Sequence, residues 1–453
     1  MGIGMLLHKL APPRPPKPDF ARQIPATVSG RVGNINLQFY VPKDYASQGK
    51  LWKDRVMRPE LDGNEEEDER SRLSKSRRVS TTLSTVGQSF RRRSRSGRRW
   101  GHYPCVINFH GGGFTLGTAT DDARWCATVV NECHAVVISV DYRLAPEFPF
   151  PIAVEDGVDA VLWVHKHADE LGIDKEKIAL SGFSSGGNMS FTVALRLWDE
   201  QNGFAREDES LLDSQQKAEH ALATMTESAS SSATKVQPDN ENIQVLHPDE
   251  PPPMVPSADS SKYSNAKQTA KTQQRELDNV KIRCIVPWYP SLDYTRTREE
   301  RRATNIRKDH ELPAVFTDLF DESYLHPPDT VALDSPYLSP GVAPTSLLKA
   351  GLPQEIIMHT CEYDMLLDEG QEFRRRLESP EIGKHVIYKM IEGVPHGWDK
   401  APNPLKPTPG VREHYLRACK ELRIIFGAQP GLVEHPTAHG PSAAPRGSIA
   451  VVR

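Results

Sequence analysis

Short, nearly continuous apolar runs recur along the chain, separated by stretches in which apolar residues return every three or four positions. The runs cover residues 104–109, 135–140, 178–180, 282–286, 355–358 and 386–391. A strand buried on both faces needs no polar alternation, so such runs predict a parallel sheet covered by helices. One helical stripe carries Val154, Val158, Val161 and Leu162; a second carries Met189, Val193, Leu197 and Trp198. A third carries Val411, Tyr415, Cys419, Leu422 and Ile425, with Gly427 placed to close it. Strand and helix in alternation predict an α/β fold built on a doubly wound, mostly parallel sheet.

Composition shows that this core is interrupted. Apolar residues make up 38% of the 453 positions, below the usual ~45–50% of a globular domain. Two internal stretches account for the difference. Residues 55–100 hold an acidic block (Glu65, Glu66, Glu67, Asp68, Glu69) and then a serine-rich basic block that ends in the arginine cluster Arg91–Arg99. Residues 203–278 are rich in Ser, Gln, Glu, Thr and Pro. Neither stretch can bury enough apolar surface to offset chain entropy, and both are expected to be disordered, as is the tail 429–453. The predicted organisation is an N-terminal segment 1–54, the insert 55–100, a first core part 101–202, the insert 203–278, a second core part 279–428, and the tail.

Charge excludes some classes of function. Lys and Arg number 56 against 60 Asp and Glu, a net charge of −4, so no one-signed excess marks a dedicated nucleic-acid binder. The six cysteines (Cys105, Cys126, Cys133, Cys284, Cys361, Cys419) form no C-x-x-C pair. They read as buried free thiols in a reducing, cytoplasmic compartment. The apolar patch at residues 2–7 runs into Pro12, Pro13, Pro15 and Pro16, a poor secretory signal.

The chemistry is concentrated in loops that follow strands. Gly182-Phe183-Ser184-Ser185-Gly186 follows the run ending at Leu180 and opens the stripe containing Met189. A sharp strand-to-helix turn of this kind leaves no room for side chains around its central serine. It lifts Ser184 into the crevice at the strand ends, as a nucleophile requires. His110-Gly111-Gly112-Gly113-Phe114 follows residues 104–109. Its glycines let backbone N–H groups face a ligand. Gly112, Gly113 and the N–H of Ser185 are therefore the predicted oxyanion hole. A serine nucleophile needs a base and a group to orient that base. Asp364 and His396 lie just past the runs at 355–358 and 386–391, with Glu362 and Asp368 close enough to compete with Asp364. The order Ser, Asp, His is that of α/β-hydrolases.

On these residues the sequence resembles the hormone-sensitive-lipase family of α/β-hydrolase esterases. His110 to Phe114 matches the family's HGGGF/Y, and Asp141-Tyr142-Arg143-Leu144-Ala145-Pro146-Glu147 matches its DYRLAPE. Residues 182–187 resemble its GDSAGG, and Ser335-Pro336, Asp364, Asp368-Glu369-Gly370 and His396-Gly397 follow in family order. Phe183 stands where Asp is common, Ser185 where Ala is usual, and Trp398 where Phe is usual. The resemblance implies an α/β-hydrolase fold with a helical cap from the N-terminal segment and residues 291–340. It also implies ester cleavage through an acyl-enzyme, with no metal or cofactor. In that cap, Leu312, Val315, Phe316, Leu319 and Phe320 form a predicted amphipathic helix. Phe114, Phe183, Trp288 and Trp398 are candidate pocket walls for a small apolar ester or a lipid.

The sequence leaves two other classes open. A non-catalytic ligand receptor, as in plant gibberellin receptors that resemble the family but lack the histidine, is disfavoured by His396. Amide hydrolysis, as in arylacetamide-deacetylase-like members, uses the same three side chains. Ser80, preceded by Arg77 and Arg78, and the arginine-embedded Ser94 and Ser96 are candidate sites for a basophilic kinase. Each phosphate would change local charge by about −2. The Arg91–Arg99 cluster is a candidate contact with anionic membranes or lipid bodies, or a nuclear signal.

Overall fold

The computed structural model describes residues 14–45, 102–203, 280–400 and 410–427. The kinase candidates Ser80, Ser94 and Ser96, the cluster at residues 91–99, and the expected inserts and tail lie outside the described residues, Gly203 apart.

Eight strands form one sheet: β1 (Phe20–Pro25), β2 (Asn34–Tyr40), β3 (Tyr103–Phe109), β4 (Val136–Asp141), β5 (Ile173–Phe183), β6 (Ile282–Trp288), β7 (Glu355–Tyr363) and β8 (His385–Pro395). Their order is β1-β2-β4-β3-β5-β6-β7-β8. From β4 to β8 all pairs are parallel. Each of these strands follows one of the apolar runs. Alternate residues face opposite layers. Cys105, Ile107 and Phe109 join one core with Val154, Val158, Met189 and Val193. Val106, Val137, Ala179 and Val286 join the other with Tyr415, Cys419 and Leu422. Both faces of the sheet are therefore dry from β3 to β7, which is why these central strands show no polar alternation.

Residues 20–40 were expected within an N-terminal cap segment. They form instead the antiparallel hairpin β1–β2, which adds to the sheet beside β4. In β2 the buried Ile35, Leu37 and Phe39 alternate with Asn34, Asn36 and Gln38, and Phe20 stacks on Phe39 at 4.5 Å. This strand has one covered face, and its period of two was present in the sequence.

Among the described residues the α-helices are α1 (Ala123–Cys133), α2 (Ile152–Lys166), α3 (Ala168–Leu171), α4 (Ser185–Asn202), α5 (Arg298–Thr304), α6 (Ala314–Tyr324), α7 (Thr345–Gly351), α8 (Leu367–Leu377) and α9 (Val411–Ile425). Among the described residues no helix is long and apolar enough to cross a membrane. Strand β3 is flanked by β4 on one side and β5 on the other. The order of strands reverses there, so the loops leaving β3 and β5 part company and open a crevice at their carboxyl ends.

Helix α6 is amphipathic, but its inward face differs from the predicted one. Thr317, Phe320, Ser323 and Tyr324 are buried, whereas Val315 and Leu319 are exposed. Tyr324 stacks on Phe114 at 3.8 Å, and the Thr317 hydroxyl accepts from Arg302 Nη2 at 2.9 Å. Aromatic stacking and one polar anchor set the rotation of the helix, in place of the aliphatic stripe.

Candidate active site

The loop after β5 is tight because backbone fills the space around it. A Cβ on Gly182 would lie 2.1 Å from the carbonyl oxygen of Gly186, and one on Gly186 would lie 2.0 Å from that of Phe109. Ser184 is left at φ +55°, an uncommon conformation for a residue with a Cβ. It is held there by its N–H to Trp288 O (2.9 Å) and its carbonyl to Asn188 N (3.0 Å), on the first turn of α4. Asn188 in turn donates to the carbonyls of Ser291 and Leu338, at 2.8 Å each. That ties the serine's helix to the segment between β6 and β7.

The structure brings the three separated side chains together. Ser184 Oγ lies 2.8 Å from His396 Nε2, and His396 Nδ1 lies 2.7 Å from Asp364 Oδ2. A carboxylate only accepts, so Nδ1 carries the ring proton and the serine hydroxyl donates to Nε2. The second oxygen of Asp364 accepts from Leu366 N at 3.0 Å, and the carboxyl is almost fully buried. The two competing carboxylates are engaged elsewhere. Glu362 accepts from Gly393 N at 2.6 Å, and Asp368 pairs with Arg296 at 3.0 Å. Glu369 is buried against Arg301 at 3.1 Å; burial pushes its carboxyl up to about 7, with Arg301 opposing.

The glycine loop after β3 is braced by the Asp141-Tyr142-Arg143 segment. Tyr142 stacks on His110 at 4.3 Å and donates to His110 O at 2.8 Å, and Ala145 N donates to Phe114 O at 2.9 Å. Asp141 accepts from Ala119 N at 3.0 Å. Arg143 forms a buried pair with Asp156 at 2.6 Å. Gly112 and Gly113 adopt φ +124° and +61°. A Cβ on Gly112 would lie 2.0 Å from Leu116 O, and one on Gly113 would lie 2.2 Å from the ring of Phe320. The loop is therefore sandwiched between its own backbone and α6.

A cavity of about 30 Å³ lies at Ser184, with Gly113, Ser185, Phe114, Leu312, Phe320 and Met365 among its lining residues. That is room for about two waters. Of the four candidate pocket walls, Phe114 lines it. Phe183, Trp288 and Trp398 do not: they are buried in the core on the side of α1 and α9. Trp288 stacks between Phe183 (5.7 Å) and His359 (3.9 Å), and Trp398 packs on His414.

Beneath the elbow lies a buried polar cluster that the motifs did not announce. Lys400 Nζ reaches Asp122 Oδ1 and Asp399 Oδ2, both at 2.8 Å, and stands 3.8 Å above the ring of Phe183. Burial pushes this ammonium down, but the two carboxylates hold it above its ordinary range. Burial likewise raises Asp399, while Lys400 and two phenols hold it below the usual carboxylate range. Asp122 also accepts from Asn108 at 2.9 Å, and Asn108 accepts from Ser181 at 2.8 Å. A lone asparagine inside the apolar run at 104–109 was the sequence signal for such a network. Removing a charge from it leaves the others stranded. Lys400→Met is expected to lower the unfolding free energy by about 3–5 kcal/mol, read as a shift of the urea midpoint; an unchanged midpoint would refute the cluster.

Comparison with known proteins places this geometry. The sequence pattern of the alpha/beta hydrolase fold matches residues 106–241 and 265–400. Hormone-sensitive lipase of Ictidomys tridecemlineatus is 26% identical over 397 residues, covering 65% of this chain and 50% of that protein. The arylesterase of Saccharolobus solfataricus is 46% identical over 96 residues, 21% of this chain and 31% of that one. The chain thus spans half or less of the length of these relatives. A hyperthermophilic esterase from the archaeon Pyrobaculum calidifontis has the same fold, with a TM-score of 0.54 at 22% identity over 93% of this chain and 88% of that one. With the motif order, the parallel sheet and these matches in agreement, the chain belongs to the alpha/beta hydrolase fold family and is hormone-sensitive-lipase-like within it.

Proposed function

We propose that this chain is a serine hydrolase that cleaves carboxylic esters of small apolar molecules or lipids through an acyl-enzyme on Ser184. The observation that carries the reading is the continuous chain of contacts from Ser184 to His396 (2.8 Å) to Asp364 (2.7 Å). His396 takes the serine proton as Ser184 attacks the ester carbonyl. The N–H groups of Gly112, Gly113 and Ser185 are the donors assigned to the oxyanion. His396 then protonates the leaving alcohol, and a water activated by the same ring releases the acid. Asp364 keeps the ring in the tautomer that accepts from serine and stabilises the imidazolium. Residues 291–340 act as the cap, with Phe320 lying over the oxyanion loop. An imidazole in bonding contact with the serine favours the enzyme over a receptor. Buried free thiols at all six cysteines support the cytoplasm as the compartment.

The small cavity sets the expected substrate range. The wild-type chain should hydrolyse p-nitrophenyl acetate and butyrate faster than the decanoate, because Phe320 leaves little room for a longer acyl chain. Phe320→Ala should raise the decanoate-to-acetate ratio of kcat/KM on the order of tenfold, the scale of a few methylenes newly accommodated. Wild-type protein that releases no p-nitrophenol from any chain length would end the hydrolase reading; an unchanged ratio would end the role of Phe320.

A further inference from the structure

Tyr289, the first residue beyond β6, has φ +37°, one of four non-glycine residues with positive φ among the described residues. A bulky residue held in this region marks a conformation that its surroundings impose. Here the surroundings are the site itself. The N–H of Tyr289 donates to His359 O at 2.7 Å on β7, and the preceding carbonyl, of Trp288, accepts from Ser184 N at 2.9 Å. The strained turn therefore lies between the nucleophile and the neighbouring strand.

The turn points the tyrosine ring at the base. Its centroid lies 4.9 Å from that of His396, with the planes at 66°. Its hydroxyl donates to Asp399 Oδ1. Asp399 lies three residues beyond His396, in the single turn Trp398–Lys400, which Lys400 N closes on Gly397 O at 2.8 Å. The same carboxylate accepts from Tyr415 at 2.5 Å and from Lys400 at 2.8 Å. Between His396 and this anchor stands Gly397, at φ +67°. The imidazole is thus carried on a short segment with one flexible residue, pinned immediately afterwards. Neither Tyr289, Asp399, Lys400 nor Tyr415 lines the cavity. Burying a carboxylate with an ammonium and two phenols incurs a desolvation cost, yet the reaction chemistry uses none of them.

We propose that Tyr289 is a positioning residue for His396: its ring walls the imidazole, and its hydroxyl pins the histidine's loop through Asp399. The proposal rests on His396 being the base of Ser184. It separates Tyr289 from Tyr415, which bonds the other oxygen of the same carboxylate but has no ring contact with His396. Without its hydroxyl the Tyr289 ring loses the bond to Asp399 that holds it against the imidazole, whereas loss of the Tyr415 hydroxyl leaves that ring anchored; a residue that only satisfied Asp399 would be interchangeable with Tyr415.

The test compares Tyr289→Phe with Tyr415→Phe in the full chain. Each removes one hydroxyl from Asp399, and their thermal midpoints should fall by similar amounts. The first readout needs no turnover. It is solvent exchange of the downfield Nδ1 proton of His396, assigned by its loss in His396→Ala. Exchange should accelerate about tenfold in Tyr289→Phe and stay at the wild-type rate in Tyr415→Phe. The second readout is p-nitrophenyl butyrate hydrolysis. In Tyr289→Phe, kcat should fall about tenfold with KM within twofold of wild type, the scale expected when a catalytic group is displaced by a fraction of an ångström. Tyr415→Phe should keep more than half of wild-type kcat. Equal exchange rates in the two variants would overturn the proposal, as would a rise in KM with kcat intact. Wild-type protein without esterase activity would remove the hydrolase reading, while the exchange comparison would still decide the positioning.

Discussion

Ser184→Ala should fold as the wild type does and lose about 10⁴- to 10⁶-fold in kcat on p-nitrophenyl butyrate. The substitution keeps the Cβ, so the backbone at φ +55° is unchanged, and the N–H to Trp288 O and the carbonyl to Asn188 N remain. Only the hydroxyl goes, and with it the bond to His396 Nε2. The backbone donors of Gly112, Gly113 and Ser185 persist, which is why a residual rate above that in water is expected. A fluorophosphonate should label the wild type at Ser184 and leave the variant unlabelled. A variant within tenfold of the wild-type rate, at equal thermal midpoint, would show that the nucleophile lies elsewhere.

That this serine was legible in the sequence follows from local sterics. The elbow demands Gly182 and Gly186 because carbonyl oxygens stand 2.1 and 2.0 Å from where a Cβ would sit, so the geometry is written in residue type within five positions. The parallel strands were legible for a similar reason: two dry faces need apolar runs, and β3 to β7 have both. Where contact depends on residues far apart, the pattern fell silent. The hairpin at residues 20–40 was assigned to a cap because β2 offers one short amphipathic strand, and its partner β4 lies beyond residue 100. Large aromatic residues near the motifs read as pocket walls, yet residue type does not reveal which side of a strand end faces the crevice. Trp288 and Phe183 turn into the core, and Phe183, which stands where Asp is common and reads as a pocket wall, sits under the ammonium of Lys400. The sequence could show that an acidic residue was missing there. It could not show that Asp122 and Asp399 converge on a lysine at the same place.

Of the three residues proposed for the triad, the acid was the least determined in the sequence, and among its contenders Asp364 is the one that meets His396, at 2.7 Å. Asp364→Asn is expected to lower kcat about 10⁴-fold, with KM close to wild type. An amide can donate as well as accept, and by donating to Nδ1 it would favour the tautomer with the proton on Nε2, which no longer accepts from Ser184. It would also withdraw the negative charge that stabilises the imidazolium formed as the serine proton leaves. Glu362→Gln removes a charge whose partner is the N–H of Gly393, and Asp368→Asn one whose partner is Arg296. Neither reaches His396, and both variants should stay within about threefold of wild-type kcat, the loss expected from weakening an exposed contact. Steady-state kinetics on all three, with the thermal midpoint of each, makes the comparison. If Glu362→Gln or Asp368→Asn cost as much as Asp364→Asn at unchanged stability, the carboxylate that meets His396 at 2.7 Å would not be the one that orients it during the reaction.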